Sequence, residues 1–140
     1  YDVDALAKCD IVVSCQGGDW TTDMHPKLRA AGWKGYFVDA ASTLRMKDDA
    51  ALVLDPVNQA VIDTAIASGV RDLVGANCTV SLMLMVMAGP IQQGWVEWVS
   101  SMTYQSASGA GAKNMQELVA QMTAIASMIS LAGSTALMSV

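Results

Sequence analysis

The hydrophobic pattern changes period repeatedly along this chain, and each change marks an element. Asp10-Ile-Val-Val-Ser-Cys15 is a nearly continuous apolar run ending at Gln16-Gly17-Gly18, which predicts a buried parallel strand and a turn. Thr21 to Ala31 carries Met24, Leu28 and Ala31 on one side with Gly32 just beyond, the pattern of a helix with a glycine stop. Tyr36 to Asp39 is a second strand leading into the small-residue loop Ala40 to Arg45, and Leu52 to Leu54 is a third. Pro56 is expected to open a helix whose apolar side holds Val57, Val61, Ala65 and, alongside them, Ile62 and Ile66, ended by Gly69. Val70 to Gly75 reads as a fourth strand. It passes through Ala76-Asn77 into a helix that begins at Cys78, with Asn77 placed to cap it.

After Gly94 the period becomes two. Val96, Trp98, Met102 and Tyr104 share one face, and Glu97, Ser101, Thr103 and Gln105 the other, which predicts a half-covered strand opening a second structural unit. Ser106 to Ala112 is a small-residue turn. It leads into a helix with Met115, Leu118, Val119, Met122, Ile125, Ala126 and Ile129 at helical spacing.

Strands alternating with helices at such short intervals imply an α/β layer structure with a parallel sheet and right-handed crossovers. In open parallel sheets ligands bind beyond the carboxyl ends of the strands. Gln16, Ser42 with Arg45, and Asn77 with Cys78 follow the first, second and fourth strands, so three loops are expected to converge on one edge. A thiol in the first turn of a helix faces unpaired N–H groups and the positive end of the dipole, which favour the thiolate nucleophile. Beside so many apolar residues the same cysteine also reads as a small core hydrophobe, just as Arg45 reads as a solvated arginine and Gln16 as a turn residue. Gly109 and Gly111 would let a ligand approach the backbone where the last helix starts, or serve chain geometry alone.

Composition narrows the classes further. A chain of 140 residues that is 53% hydrophobic has the size of one domain and enough apolar material for a core. A net charge of −5 with interspersed signs argues against nucleic acid or an anionic membrane surface as partner. Cys9, Cys15 and Cys78 have no metal-ligand spacing, so no metal site or disulfide framework is expected and a reducing compartment fits. The apolar run Val80 to Ile91 is too short for a membrane span, which needs ~20 residues, and reads as a buried helix. The four tryptophans and ten methionines read as core and interface packing. Asp4 to Lys8 resembles the end of a helix already under way, and Ser127 to Val140 has no stop signal; both suggest an internal fragment.

Five stretches taken together carry a specific resemblance: Gln16-Gly-Gly-Asp, Asp39-Ala-Ala-Ser-Thr-Leu-Arg-Met-Lys-Asp-Asp, Leu54-Asp-Pro-Val-Asn, Gly75-Ala-Asn-Cys-Thr-Val-Ser-Leu-Met-Leu-Met, and Thr103-Tyr-Gln-Ser-Ala-Ser-Gly-Ala-Gly-Ala. In order and spacing, from the start of the chain to about Met122, they resemble the bacterial aspartate-semialdehyde dehydrogenases. The resemblance implies a partial, Rossmann-like NADP-binding domain over 1–77. It further implies the start of an α+β catalytic and dimerisation domain over 78–140, opening with the Cys78 helix. It also implies NADP-dependent interconversion of aspartyl phosphate and aspartate semialdehyde through a cysteine thioester, in aspartate-family amino-acid biosynthesis, by a cytoplasmic homodimer. By the same resemblance Cys78 is the nucleophile, Asn77 holds the acyl oxygen, Arg45 binds phosphate and Gln105 orients substrate. Gln16, Ser108, Gly109, Ala110, Gly111 and Ala112 would contact the cofactor.

The chain also departs from the family pattern. The glycine-rich dinucleotide loop, the downstream glutamate and arginine that grip substrate, and the acid/base histidine are not found in it. Its single histidine, His25, lies beside Pro26 on the first long helix, does not align with the catalytic one and is expected to be a structural or surface residue. Two alternatives remain open at this stage: the related N-acetyl-glutamyl-phosphate reductase, and a non-catalytic module that keeps the nucleotide-domain sheet.

Overall fold

Four short parallel strands, β1 (Ile11–Ser14), β2 (Tyr36–Asp39), β3 (Ala50–Val53) and β4 (Asp72–Gly75), form a sheet of order β1-β2-β4-β3. The computed structural model describes residues 2–137. The outermost positions of the expected 1–77 and 78–140 domains, and the tail of the Ser127–Val140 segment, lie outside the described residues. The chain divides into two compact units, Tyr1–Val99 and Ser100–Val140.

In the first unit, register places Val12 beside Phe37, and Asp39 beside both Ser14 and Val74, so alternate side chains line up on one face. Val12, Phe37 and Val74 from that face pack with Leu28, Trp33 and Leu44 into the core cluster, and Phe37, Leu28 and Val74 are wholly buried. Burial of one such side chain is worth about 1.5–3 kcal/mol, so this small cluster carries the unit.

The helices differ from the pattern in instructive ways. α1 (Val3–Leu6) is a single turn whose first N–H groups are met by the Asp2 side chain, which accepts from the Asp4 N–H. α2 (Gly18–Ala30) begins earlier than Thr21, directly after Gly17 at φ 92°. It buries Thr21, Met24 and Leu28, whereas Ala31 is the exposed C-cap. α3 (Gln59–Ala67) does not open at Pro56. Asn58 first closes the turn, accepting from the Leu54 N–H at 2.9 Å and donating to the Leu52 carbonyl at 2.8 Å, and only Ile62 of the expected apolar side is buried.

α4 (Cys78–Gln92) exists as expected but is not a buried helix. It is largely apolar around its circumference, yet none of its residues is fully buried: Leu82 is 73% and Val86 77% exposed, while Leu84 and Met87 are half-buried. The alternating segment Trp95 to Gln105 is not a strand. Extended chain persists as a strand only through ladder hydrogen bonds, and this segment has no ladder partner among the described residues. In the second unit a 3-10 turn at Ala107–Ala110 leads through Gly111 into α5 (Ala112–Leu137). The helical spacing is realised there, with Val119, Met122, Ile125 and Ile129 exposed. No helix among the described residues is long and apolar enough to cross a membrane.

The amino end of the sheet is closed by a polar cluster. Asp72, the first residue of β4, is buried; His25 Nε2 lies 2.9 Å from its Oδ2, and Arg29 Nη2 donates to its Oδ1. Arg29 also donates through Nη1 to the Trp33 and Gly35 carbonyls, and His25 meets the Phe37 ring edge-on. Burial alone would raise the Asp72 carboxyl, but the hydrogen bonds and charges of His25 and Arg29 outweigh it and hold the group below the ordinary carboxylate value. A depressed carboxyl contributes stability that is full above the unfolded value of about 3.9 and is lost as pH falls through the folded value. Asp72→Asn is therefore expected to cost about 1–3 kcal/mol at pH 7. The gap to the unmodified chain should close as pH falls below about 4. Urea melts across that range check it; a gap of constant size would contradict the linkage.

Candidate functional site

Parallel pairing brings the last residues of β1, β2 and β4 to one edge, and the loops leaving them are tied to each other there. Asp39 ends β2 and is 2% exposed, yet it is satisfied: Thr21 Oγ1 of α2 donates to its Oδ2 at 2.7 Å and the Ala41 N–H to its Oδ1 at 3.0 Å. That pair fixes the start of α2 beneath the loop after β2. The same loop reaches back through Thr43, whose Oγ1 donates to the Gly18 carbonyl at 3.2 Å. A Cβ on Gly18 would stand 2.9 Å from Thr43 Oγ1, so a side chain there would have to displace that hydroxyl from its bond.

Arg45 extends the loop in the other direction. Its Nε donates to the Gly75 carbonyl at 2.8 Å, and its Nη2 lies 3.3 Å from the carbonyls of Ala76 and Ala40. Asn77 follows at once in extended conformation, and its Oδ1 accepts from the Val80 N–H at 3.1 Å, the side-chain cap of α4. Cys78 is the first residue of that helix and is exposed, not a core residue. An exposed thiol on the first turn of a capped helix has the location that nucleophilic chemistry requires.

Arg45, Asn77 and Cys78 are thus brought together. Gln16 lies on the same edge, exposed, between β1 and Gly17. Gly17 has open space where a side chain would be, and the first turn of α2 has no side-chain cap, so its N–H groups suit an anionic ligand. Gln105 and Ser108 to Ala112 belong to the second unit. There Ser106 Oγ accepts from the Ser108 N–H at 3.3 Å, and Gln105 Nε2 would lie 3.5 Å from a Cβ on Gly109. Gly111, at φ 96° before α5, has open space beside it. His25 stands at the amino end of the sheet, away from Cys78, and is structural.

Sequence reasoning missed Thr43, Gly18 and the Thr21–Asp39 pair. A carboxylate closing an apolar strand and a second glycine directly after the first were the available signals.

The model for the NAD-binding domain of semialdehyde dehydrogenases matches residues 1–65, and that for their dimerisation domain matches residues 88–138. The second match runs well past Met122, where the likeness read from the sequence was expected to fade. Among solved structures, the aspartate semialdehyde dehydrogenase of Francisella tularensis is 54% identical over 88% of this chain and 34% of its own, with a TM-score of 0.77. Aspartate semialdehyde dehydrogenase II of Vibrio cholerae, complexed with ASA, is 27% identical over 86% of this chain and 34% of its own, with a TM-score of 0.64. The chain spans about a third of the length of these relatives.

The Gly18–Thr43 approach is open to a double-mutant cycle. Gly18→Ala is expected to destabilise by about 1 kcal/mol, and by less in a Thr43→Ala background, where the obstructing oxygen is gone. Additive changes in chemical melts would show that the two positions do not touch.

Proposed function

The chain belongs to the semialdehyde dehydrogenase family, and on that footing we propose that it carries the nucleophilic turn of an NADP-dependent aspartate-semialdehyde dehydrogenase. The reaction is the interconversion of aspartate semialdehyde with aspartyl phosphate. The observation that carries the reading is the Asn77-capped start of α4, with Cys78 exposed on the carboxyl edge and Arg45 fastened to the turn before it.

In the oxidative direction the Cys78 thiolate adds to the aldehyde carbon. The Asn77 amide, its Oδ1 already committed to the cap, offers its Nδ2 hydrogens to the acyl oxygen. When bound, NADP supplies the group that takes the hydride. A thioester to Cys78 remains, and a phosphate oxygen attacks it, expelling the thiolate and releasing the acyl phosphate; the biosynthetic direction is the reverse. Arg45 draws the phosphate to this edge, and Gln105 orients the substrate. Gln16, with the open backbone at Gly17, and Ser108 to Ala112, with the open backbone at Gly111, fit the role of holding a dinucleotide. The enzyme is read as a cytoplasmic homodimer serving aspartate-derived amino-acid biosynthesis.

The chain's one histidine is committed to Asp72 at the amino end of the sheet, so proton transfer at Cys78 needs a group from outside these residues. A longer protein bearing this chain is expected to reduce NADP with aspartate semialdehyde only when phosphate is present, and Cys78→Ala should abolish that activity. Retained turnover in the variant would refute the reading. A preference for N-acetyl-glutamate semialdehyde in substrate competition would move it to the neighbouring reductase. The 140-residue chain alone is expected to show no measurable turnover in the same assay.

A further inference from the structure

The geometry points to Arg45 as a positioning residue for Cys78, acting through the backbone of the turn, in addition to the anion-binding role proposed above; the inference rests on that reading of Cys78 as nucleophile. The turn from β4 into α4 leaves the sheet at Gly75, and beyond the strand the carbonyls of Gly75 and Ala76 need donors from elsewhere. Arg45 meets both. Its Nε–H is on Gly75 and its Nη2 faces Ala76, while Nη2 also faces Ala40 at the end of β2. One planar guanidinium therefore sets the spacing between two strand ends and holds the two peptide units directly before Asn77. Asn77 then caps α4, its own carbonyl accepting from the Ser81 N–H at 2.7 Å, so the cap and the Cys78 Cα inherit their placement from the clamp.

This edge of the guanidinium is used up in the clamp. Nη1 has no hydrogen-bond partner among the described residues, which leaves that nitrogen for a substrate anion. Two functions are divided between two edges of one side chain. A lysine reproduces only one of them: its ammonium offers a positive charge to an anion but cannot hold the carbonyls in a fixed planar spacing.

Arg45→Lys separates the two roles. In a longer protein bearing this chain, the variant is expected to keep its KM for phosphate within about threefold while kcat falls at least tenfold, a loss confined to the chemical step. In the 140-residue chain, hydrogen exchange at the Val80 and Ser81 amides should accelerate about tenfold, because the cap loosens. With Cys9 and Cys15 replaced by serine, alkylation of Cys78 by iodoacetamide should slow by roughly threefold as the ordered N–H groups around it are lost. Thr43→Val, which cuts the other tie of the same loop, should leave both readings of the turn unchanged and excludes general loosening. A raised phosphate KM with intact kcat, exchange and alkylation would overturn the clamp and leave Arg45 an anion ligand alone. Absence of phosphate-dependent activity in the unmodified protein would defeat the proposed function, while exchange in the 140-residue chain would still decide whether Arg45 holds the turn.

Discussion

Parallel pairing obliges all four strands to end on the same edge, and the backbone groups released there have to find partners outside the ladders. The first unit meets this demand with a few polar side chains drawn from neighbouring loops. Asp39 takes the Thr21 hydroxyl and the Ala41 N–H; Thr43 supplies the Gly18 carbonyl; Arg45 supplies those of Gly75, Ala76 and Ala40. Most of these ties join a strand end or the loop after it to a neighbouring strand end or helix start; the Asp39–Ala41 bond stays within its own loop. The carboxyl edge is consequently a braced surface, although it consists almost entirely of loops. Within this bracing the ties next to Cys78 are those of Arg45 and the Asn77 cap, and side-chain packing of α4 adds little, since none of its residues is buried.

The opposite edge is solved with charge. Asp72 at the start of β4 is held by His25 and Arg29 from α2, and the same arginine collects the Trp33 and Gly35 carbonyls. α2 is therefore pinned at both ends of the sheet, at Thr21 over the carboxyl edge and at His25 and Arg29 over the amino edge, with Met24 and Leu28 buried between. This accounts for the commitment of the single histidine to structure. It also shows why a helix of modest apolar character is anchored firmly enough to present Gly17 and Gly18 at the site.

Much of this was legible beforehand, for identifiable reasons. The strands were found because a parallel strand reads as a short apolar run bounded by glycine or polar residues, and Ile11–Ser14, Tyr36–Asp39 and Asp72–Gly75 satisfy that locally; the expected full burial of β1 is not met, since Ile11 and Val13 stay 57% and 70% exposed on the face that no element covers among the described residues. Asn77 as cap and Cys78 as first helical residue were legible because capping is a local interaction. Trp95 to Gln105 misled because alternation describes which faces a strand would have but not whether a partner strand is present. α4 misled similarly: hydrophobicity all round shows that a helix calls for cover, while burial depends on what else is there to cover it.

The amino-acid sequence by itself determined the α/β class, the parallel strands, the glycine-bounded turns and the capped strand-to-helix turn that carries Cys78, since each depends on interactions between residues close in the chain. Only the tertiary structure decided what Asp39, Asp72, Thr43 and Arg45 do. Apart from the local bonds of Asp39 with Ala41 and of Arg45 with Ala40, their partners lie 18 to 47 positions away, as with Thr21 for Asp39 and His25 for Asp72. A charged or hydroxyl side chain carries no local mark of the distant backbone group or carboxylate that it will meet. That is settled only when the sheet closes and brings the strand ends within hydrogen-bonding distance.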